Sequence, residues 1–167
     1  MKSKVKRMTF SAMIAAVYFV CCFFEQQFAS GVIQCRLSEG FCLLPVFFFE
    51  AVPGVVIGCL IYNIFFGAGI YDIVFGTLAT FLASLGTYFI GRVIKKDYLR
   101  IILGGIPPVI MNALIIPGVL LLSGFDNGTS YWYMFMCIGI GEFLAVYVVG
   151  SIIYFPLKLL FTKTRMI

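Results

Sequence analysis

Long apolar runs alternate with short polar punctuation along this chain, and the spacing predicts six helices. The first apolar stretch runs from Met8 to Phe24, followed by a polar segment from Glu25 to Arg36 that holds Gln26, Gln27, Ser30, Gly31 and Gln34. Ser38 stands where it would cap a second helix beginning at Glu39 and ending near Glu50, a short element interrupted by Pro45. Pro53 opens a third helix that reaches Phe66, and Gly67 to Tyr71 read as a tight turn. The fourth runs from Asp72 to Val93, and the fifth from Ile101 to Ser123 across Pro107, Pro108 and Pro117. A loop from Gly124 to Ser130, with Asp126 and Asn127, leads into the sixth, Tyr131 to Leu157. A membrane span needs about 20 apolar residues, and broken helices are tolerated in a bilayer where they line protein or a cavity. The expected fold is therefore an all-α membrane protein of six transmembrane helices, forming a single domain over residues 1–167.

Charge gives this path an orientation. Eleven of the 12 Lys and Arg residues fall in three clusters. These are Lys2, Lys4, Lys6 and Arg7; Arg92, Lys95, Lys96 and Arg100; and Lys158, Lys163 and Arg165. On the six-helix path all three lie on one side. Cytoplasmic loops carry excess Lys and Arg, so both termini are expected in the cytoplasm. The net charge of +5 then belongs to loops beside anionic membrane lipid and does not call for nucleic acid. A chain that is 62% hydrophobic and 11% charged leaves no room for a soluble catalytic domain. The basic N-terminus runs into apolar sequence as a signal peptide does, but without a clear small-residue cleavage site it reads as the first helix.

The reactive residue types point away from catalysis. There is no His. The six cysteines, Cys21, Cys22, Cys35, Cys42, Cys59 and Cys137, form no CxxC pair, so no metal site or cofactor is expected. They read as small packing residues; the spacing permits a Cys35–Cys42 disulfide, and nothing argues for it. No GxxxxGK[ST] phosphate loop is present, so any ATP hydrolysis must come from partners. No nucleophile–base pair stands out to suggest an enzyme.

Six polar or ionisable residues interrupt the apolar pattern: Arg36, Glu39, Asn63, Asp72, Asn112 and Glu142. Such groups are costly in a bilayer and face the protein interior. Asn112 lies about 16 Å into the fifth helix, near the midplane, and Glu142 lies about as far into the sixth from the other side. All six fall in the outer half or the middle of the membrane, which describes a cavity open to the outside. Three carboxylates against one Arg suit a ligand rich in N–H donors or carrying a cation. Tyr62, Tyr71, Trp132 and Tyr147 offer flat surfaces for a ring. Each has a structural alternative. Arg36 and Glu39 read equally as an ion pair fixing the first loop, Asp72 as a helix cap, Asn63 and Asn112 as interhelical hydrogen bonds, and the aromatics as packing. Glu142, in mid-span, is the hardest to read that way.

Small residues four apart, Ala12 with Ala16, Gly54 with Gly58 and Ala79 with Ala83, permit close helix approach. Ala12 and Ala16 lie near the cytoplasmic end of the first helix, where a small-residue face can dock a partner protein. No long internal repeat is visible, which weakens a carrier reading built on inverted repeats.

In order, the chain carries Arg36-Leu37-Ser38-Glu39, Leu43-Leu44-Pro45, Glu50-Ala51-Val52-Pro53-Gly54 and Ile57-Gly58-Cys59-Leu60-Ile61-Tyr62-Asn63. Asp72 to Thr80 (DIVFGTLAT), Pro107-Pro108 with Asn112, and Gly139-Ile140-Gly141-Glu142 follow. This succession, over roughly residues 8 to 157, resembles the queuosine-precursor S components (the QueT family) of energy-coupling factor transporters. Gly40 departs from the family pattern, which has Ala there, and is expected to loosen the start of the second helix. The resemblance implies a small six-helix substrate-binding protein of the bacterial plasma membrane. Its partners would be a transmembrane coupling subunit and two cytoplasmic ATPase subunits, with Ala12 and Ala16 as the docking element. Its substrate would be a 7-deazaguanine such as the 7-aminomethyl form, or queuine. Glu142 or Glu39 would take the guanine edge, and Asp72 or the other Glu the ammonium. Asn63 and Asn112 would bond ring polar atoms, Arg36 would orient Glu39, and Tyr62 or Trp132 would stack. Two other readings stay open: an S component for another vitamin or small nutrient, and a stand-alone proton-coupled carrier using Glu142.

Overall fold

The computed structural model describes residues 4–26, 36–126 and 128–163. Gln27, Ser30, Gly31, Gln34, Cys35 and Asn127 lie outside the described residues, as do Lys2 and Arg165. Among the described residues there is no strand. The order is α1 (Lys4–Glu25), a 3-10 segment (Leu37–Val46), α2 (Ala51–Phe66), a π turn (Asp72–Gly76) running into α3 (Thr77–Val93), α4 (Asp97–Gly104), α5 (Ile106–Leu122), α6 (Tyr131–Leu144), a second π turn (Ala145–Val149) and α7 (Gly150–Lys163). Among the described residues, four helical stretches are long and apolar enough to cross a membrane: Lys4–Glu25, Asp72–Val93, Asp97–Leu122 and Tyr131–Leu160. Leu37–Val46 and Ala51–Phe66 are apolar but shorter. Large apolar side chains such as Phe65, Trp132, Phe155 and Leu159 are exposed around the bundle, as on a surface solvated by lipid.

The expected second helix, Glu39 to Glu50, differs most from the sequence reading. It is a 3-10 segment, with Pro45 inside it, ending at Val46. A 3-10 helix rises about 2.0 Å per residue against 1.5 Å for an α-helix, so ten residues extend about 20 Å. A short piece thereby reaches far into the bundle, and Ser38 through Val46 are buried apart from Phe41. Ser38 does not cap it; its own N–H donates to Glu25 Oε2 at 3.0 Å. Gly40 tightens this region. A Cβ there would meet Gly150 N at 2.9 Å and Val149 Cβ at 3.0 Å, so the missing side chain lets the segment seat against the second π turn. Cys42, considered above for a disulfide, has a free thiol.

Helix α1 packs most extensively on α2. Gly54 and Gly58 make this close: a Cβ on Gly54 would sit 2.8 Å from Ile14, and one on Gly58 2.8 Å from the Ala15 carbonyl. Ser11 Oγ donates to the Glu50 carbonyl at 2.7 Å, and Arg7 pairs with the Glu50 carboxylate. Partial burial pushes the Glu50 carboxyl up, but the Arg7 hydrogen bond, a backbone hydrogen bond and the Arg7 charge together outweigh it and hold the group below the usual carboxylate range. At the end of α3, Arg100 Nε donates to the Ile94 carbonyl at 2.6 Å and Nη2 to Gly91 at 3.1 Å, satisfying helix-end acceptors. Lys158 pairs with Asp97, which also accepts from Tyr154 at 2.8 Å. Arg7, Arg92, Lys95 and Arg100 line one depression, and Lys158 joins α7 to the start of α4. Members of all three basic clusters thus share one end of the bundle.

Candidate functional site

Deep in the bundle, pairs of residues one helical turn apart converge from different elements. Side chains four apart lie on one face of an α-helix, and side chains three apart align on a 3-10 helix. The 3-10 segment and its cap contribute Arg36 and Glu39, α2 contributes Cys59 and Asn63, and the π turn and α3 contribute Gly76 and Thr80. Helix α5 contributes Asn112 and Ile116, and α6 contributes Ile138 and Glu142. One small cavity touches all ten. Its enclosed volume is about 10 Å³, the room of a single water molecule.

Each polar group is held differently. Glu39 is 2% exposed; one oxygen accepts from Tyr18 Oη at 2.7 Å and the other from Cys42 Sγ at 3.0 Å. Asn63 donates its amide to the Asp72 carbonyl at 3.0 Å and, more weakly, to Thr77 Oγ1 at 3.4 Å, which leaves its Oδ1 buried without a protein partner. Thr80 Oγ1 lies 3.2 Å from Cys59 Sγ and 3.3 Å from the Gly76 carbonyl. Asn112 and Glu142 line the cavity together; Glu142 Oε2 has no protein partner and the residue is 4% exposed. The Arg36 guanidinium lies 5.7 Å from the Tyr62 ring centroid, with Asp72 and Glu39 among its opposing charges.

Two π turns flank this cavity, and such turns recur at functional sites because they re-aim side chains. The first contains Asp72 and Gly76. A Cβ on Gly76 would collide with the Asp72 carboxylate and lie 3.1 Å from Asn63 Nδ2, so a side chain here would displace that carboxylate from its present seat. The second begins three residues after Glu142.

Of the residues expected to form a site, Arg36, Glu39, Asn63, Asn112 and Glu142 meet at one cavity, and Tyr62 lies beside it under Arg36. Asp72 is buried just behind the lining, against Gly76: its Oδ2 accepts from Ala68 N–H at 3.0 Å, closing the Gly67–Tyr71 turn. Trp132 is 70% exposed on α6, against Tyr131 and Phe135, because its position faces outward. Tyr71 is also exposed, and Tyr147 Oη donates to the Ile102 carbonyl away from the cavity. The sequence reading missed Tyr18, Cys59 and Thr80. The last two were within reach of a periodicity argument, since Cys59 precedes Asn63 by one turn. Tyr18 becomes visible only when α1 is packed against the 3-10 segment.

Chemically the cavity is a buried acceptor site. Two of its lining residues carry a buried oxygen without a protein partner, Glu142 Oε2 and Asn63 Oδ1, and a buried unsatisfied acceptor costs about 1–3 kcal/mol. A donor-rich ligand removes that cost. In a comparison with protein families, the model described as QueT transporter matches residues 8–159. No curated protein and no solved structure matches the chain.

Proposed function

The chain belongs to the QueT transporter family, and from that premise we propose that it is the substrate-binding S component of an energy-coupling factor importer for a queuosine precursor. It is a transport protein and a multi-pass membrane protein. The observation that carries the substrate reading is the pair of unpaired buried acceptors, Glu142 Oε2 and Asn63 Oδ1, on residues that line one buried cavity. A 7-deazaguanine presents an N1–H and an adjacent amino group, which suit one carboxylate, and an aminomethyl cation, which suits a second. Glu142 takes the guanine edge in this reading, and Glu39 stands by for the ammonium. Asn63 serves as an acceptor, since its amide hydrogens are committed to Asp72 and Thr77. Arg36 balances Glu39. The enclosed space is the size of one water, so the lining separates when a bicyclic base enters.

The six-span topology with cytoplasmic termini is part of the same proposal. It is supported by the three basic clusters sharing one end of the bundle. A coupling subunit docks on α1, where Ala12 and Ala16 are exposed along an apolar groove of about 900 Å³ between α1 and α2. Two ATPase subunits act through that subunit. Titrating purified protein with 7-aminomethyl-7-deazaguanine and queuine, against biotin, thiamine and riboflavin, tests the substrate. Saturable binding of the deazaguanines alone is expected; binding of a vitamin in their place would overturn the assignment.

A further inference from the structure

The depression at the basic end has no part in the substrate reading, and its chemistry differs from that of the cavity. It is about 530 Å³ in volume, and Arg7, Arg92, Lys95 and Arg100 converge on it from α1, α3, the following turn and α4. Glu50 is the one carboxylate in its lining, and Arg7 already pairs with it. Arg92 and Lys95 are exposed and form no ion pair with a described carboxylate. Arg100 is fixed by its bonds to the Gly91 and Ile94 carbonyls, and the carboxylate near it, Asp97, lies outside the lining and is already paired with Lys158. An excess of cations around two helix ends, one of them fixed by backbone bonds, suits an anion.

The depression is also continuous with an apolar space. Arg7, Phe49 and Glu50 line both it and the groove of about 900 Å³ between α1 and α2, whose wall continues through Ala12, Pro53 and Ile57. A cationic pocket opening sideways into an apolar groove on a lipid-facing surface matches one molecular shape, a phosphate group attached to an acyl chain. Basic pockets between transmembrane helices on the cytoplasmic side take anionic lipid headgroups. We propose that this end of the protein binds an anionic phospholipid, with its phosphate among Arg92, Lys95 and Arg100 and an acyl chain along the α1–α2 groove. A lipid seated there covers Ala12, and so shares a surface with the docking face proposed above.

The site does not depend on the transported substrate, and its test is independent of it. Full-length protein in detergent is exposed to phosphatidylglycerol, phosphatidylcholine or deacylated glycerophosphoglycerol, and retained molecules are counted by native mass spectrometry. Phosphatidylglycerol is expected to be retained at least tenfold better than either of the others. The double variant R92Q/K95Q is expected to lose that preference, and R92K/K95R to keep it, both with unchanged thermal unfolding. Equal retention of phosphatidylcholine would overturn the proposal, as would a double variant that retains phosphatidylglycerol normally. Deacylated headgroup binding as tightly as lipid would assign the site to a free phosphate ester and overturn the acyl part. If the double variant lost assembly with the coupling subunit while its lipid count stayed unchanged, the depression would belong to a protein partner.

Discussion

Glu142 interrupts an otherwise apolar helix, and the fold leaves its Oε2 buried without a hydrogen-bond partner. That imbalance makes it the most exacting place to test the site. Glu142→Gln is expected to weaken deazaguanine binding at least tenfold, through loss of a charge-assisted hydrogen bond of about 1.5–3 kcal/mol, with thermal unfolding preserved. Unchanged affinity would remove Glu142 from the site. Tyr18→Phe deletes the hydroxyl that holds Glu39 and is expected to weaken binding severalfold by the same titration. Gly76→Ala drives a methyl into the Asp72 carboxylate, and its cost, about 1–3 kcal/mol of overpacking, should appear as a lowered unfolding midpoint. Arg36, Glu39, Asn63, Asn112 and Glu142 were legible in the sequence because a polar group in an apolar run must find a polar interior. Asp72 obeyed that rule too, with one carboxylate oxygen closing a turn behind the cavity lining. Trp132 carried no such constraint, since an aromatic at a helix start is equally at home facing lipid. Tyr18 was hidden because a tyrosine in an apolar helix is unremarkable until its partner is known.

Among the elements, the long helices followed from hydrophobic length, and the start of the 3-10 segment did not. Glu39 to Glu50 has the composition of a helix, but its pitch was set by Pro45 and by the close approach of Gly40 to Gly150, which only packing reveals. The double proline at Pro107 and Pro108 looked like an interruption, yet it sits in the first turn of α5, where missing N–H groups leave nothing unpaired. Helix α1 faces two ways, with Tyr18 toward Glu39 and Ala12 and Ala16 toward the groove. Ala12→Leu and Ala16→Leu should therefore leave substrate affinity intact while abolishing uptake by cells; survival of uptake in both variants would remove the docking role. The Arg7–Glu50 pair ties α1 to the start of α2. Because the folded Glu50 carboxyl titrates below its unfolded value, its contribution to stability is full above the ordinary carboxylate pKa and disappears as pH falls through the lowered one. Glu50→Gln should accordingly flatten the acid side of the unfolding profile, measured as midpoint against pH.

Across the molecule, apolar surface faces outward and the polar side chains are drawn to an interior cavity and to one basic end. The clusters were readable from sequence as a set; that Arg7, Arg92, Lys95 and Arg100 line a common depression was not. Epitope tags at both termini should be shielded in intact cells and reached only after permeabilisation, and an exposed tag would reverse the proposed orientation. The whole account comes down to whether a closed, acceptor-lined cavity opens for a nitrogen-rich base. Calorimetric titration of the purified protein with 7-aminomethyl-7-deazaguanine decides this: saturable one-to-one binding that collapses in Glu142→Gln is predicted, and the absence of heat with every deazaguanine, from protein that is folded, would contradict it.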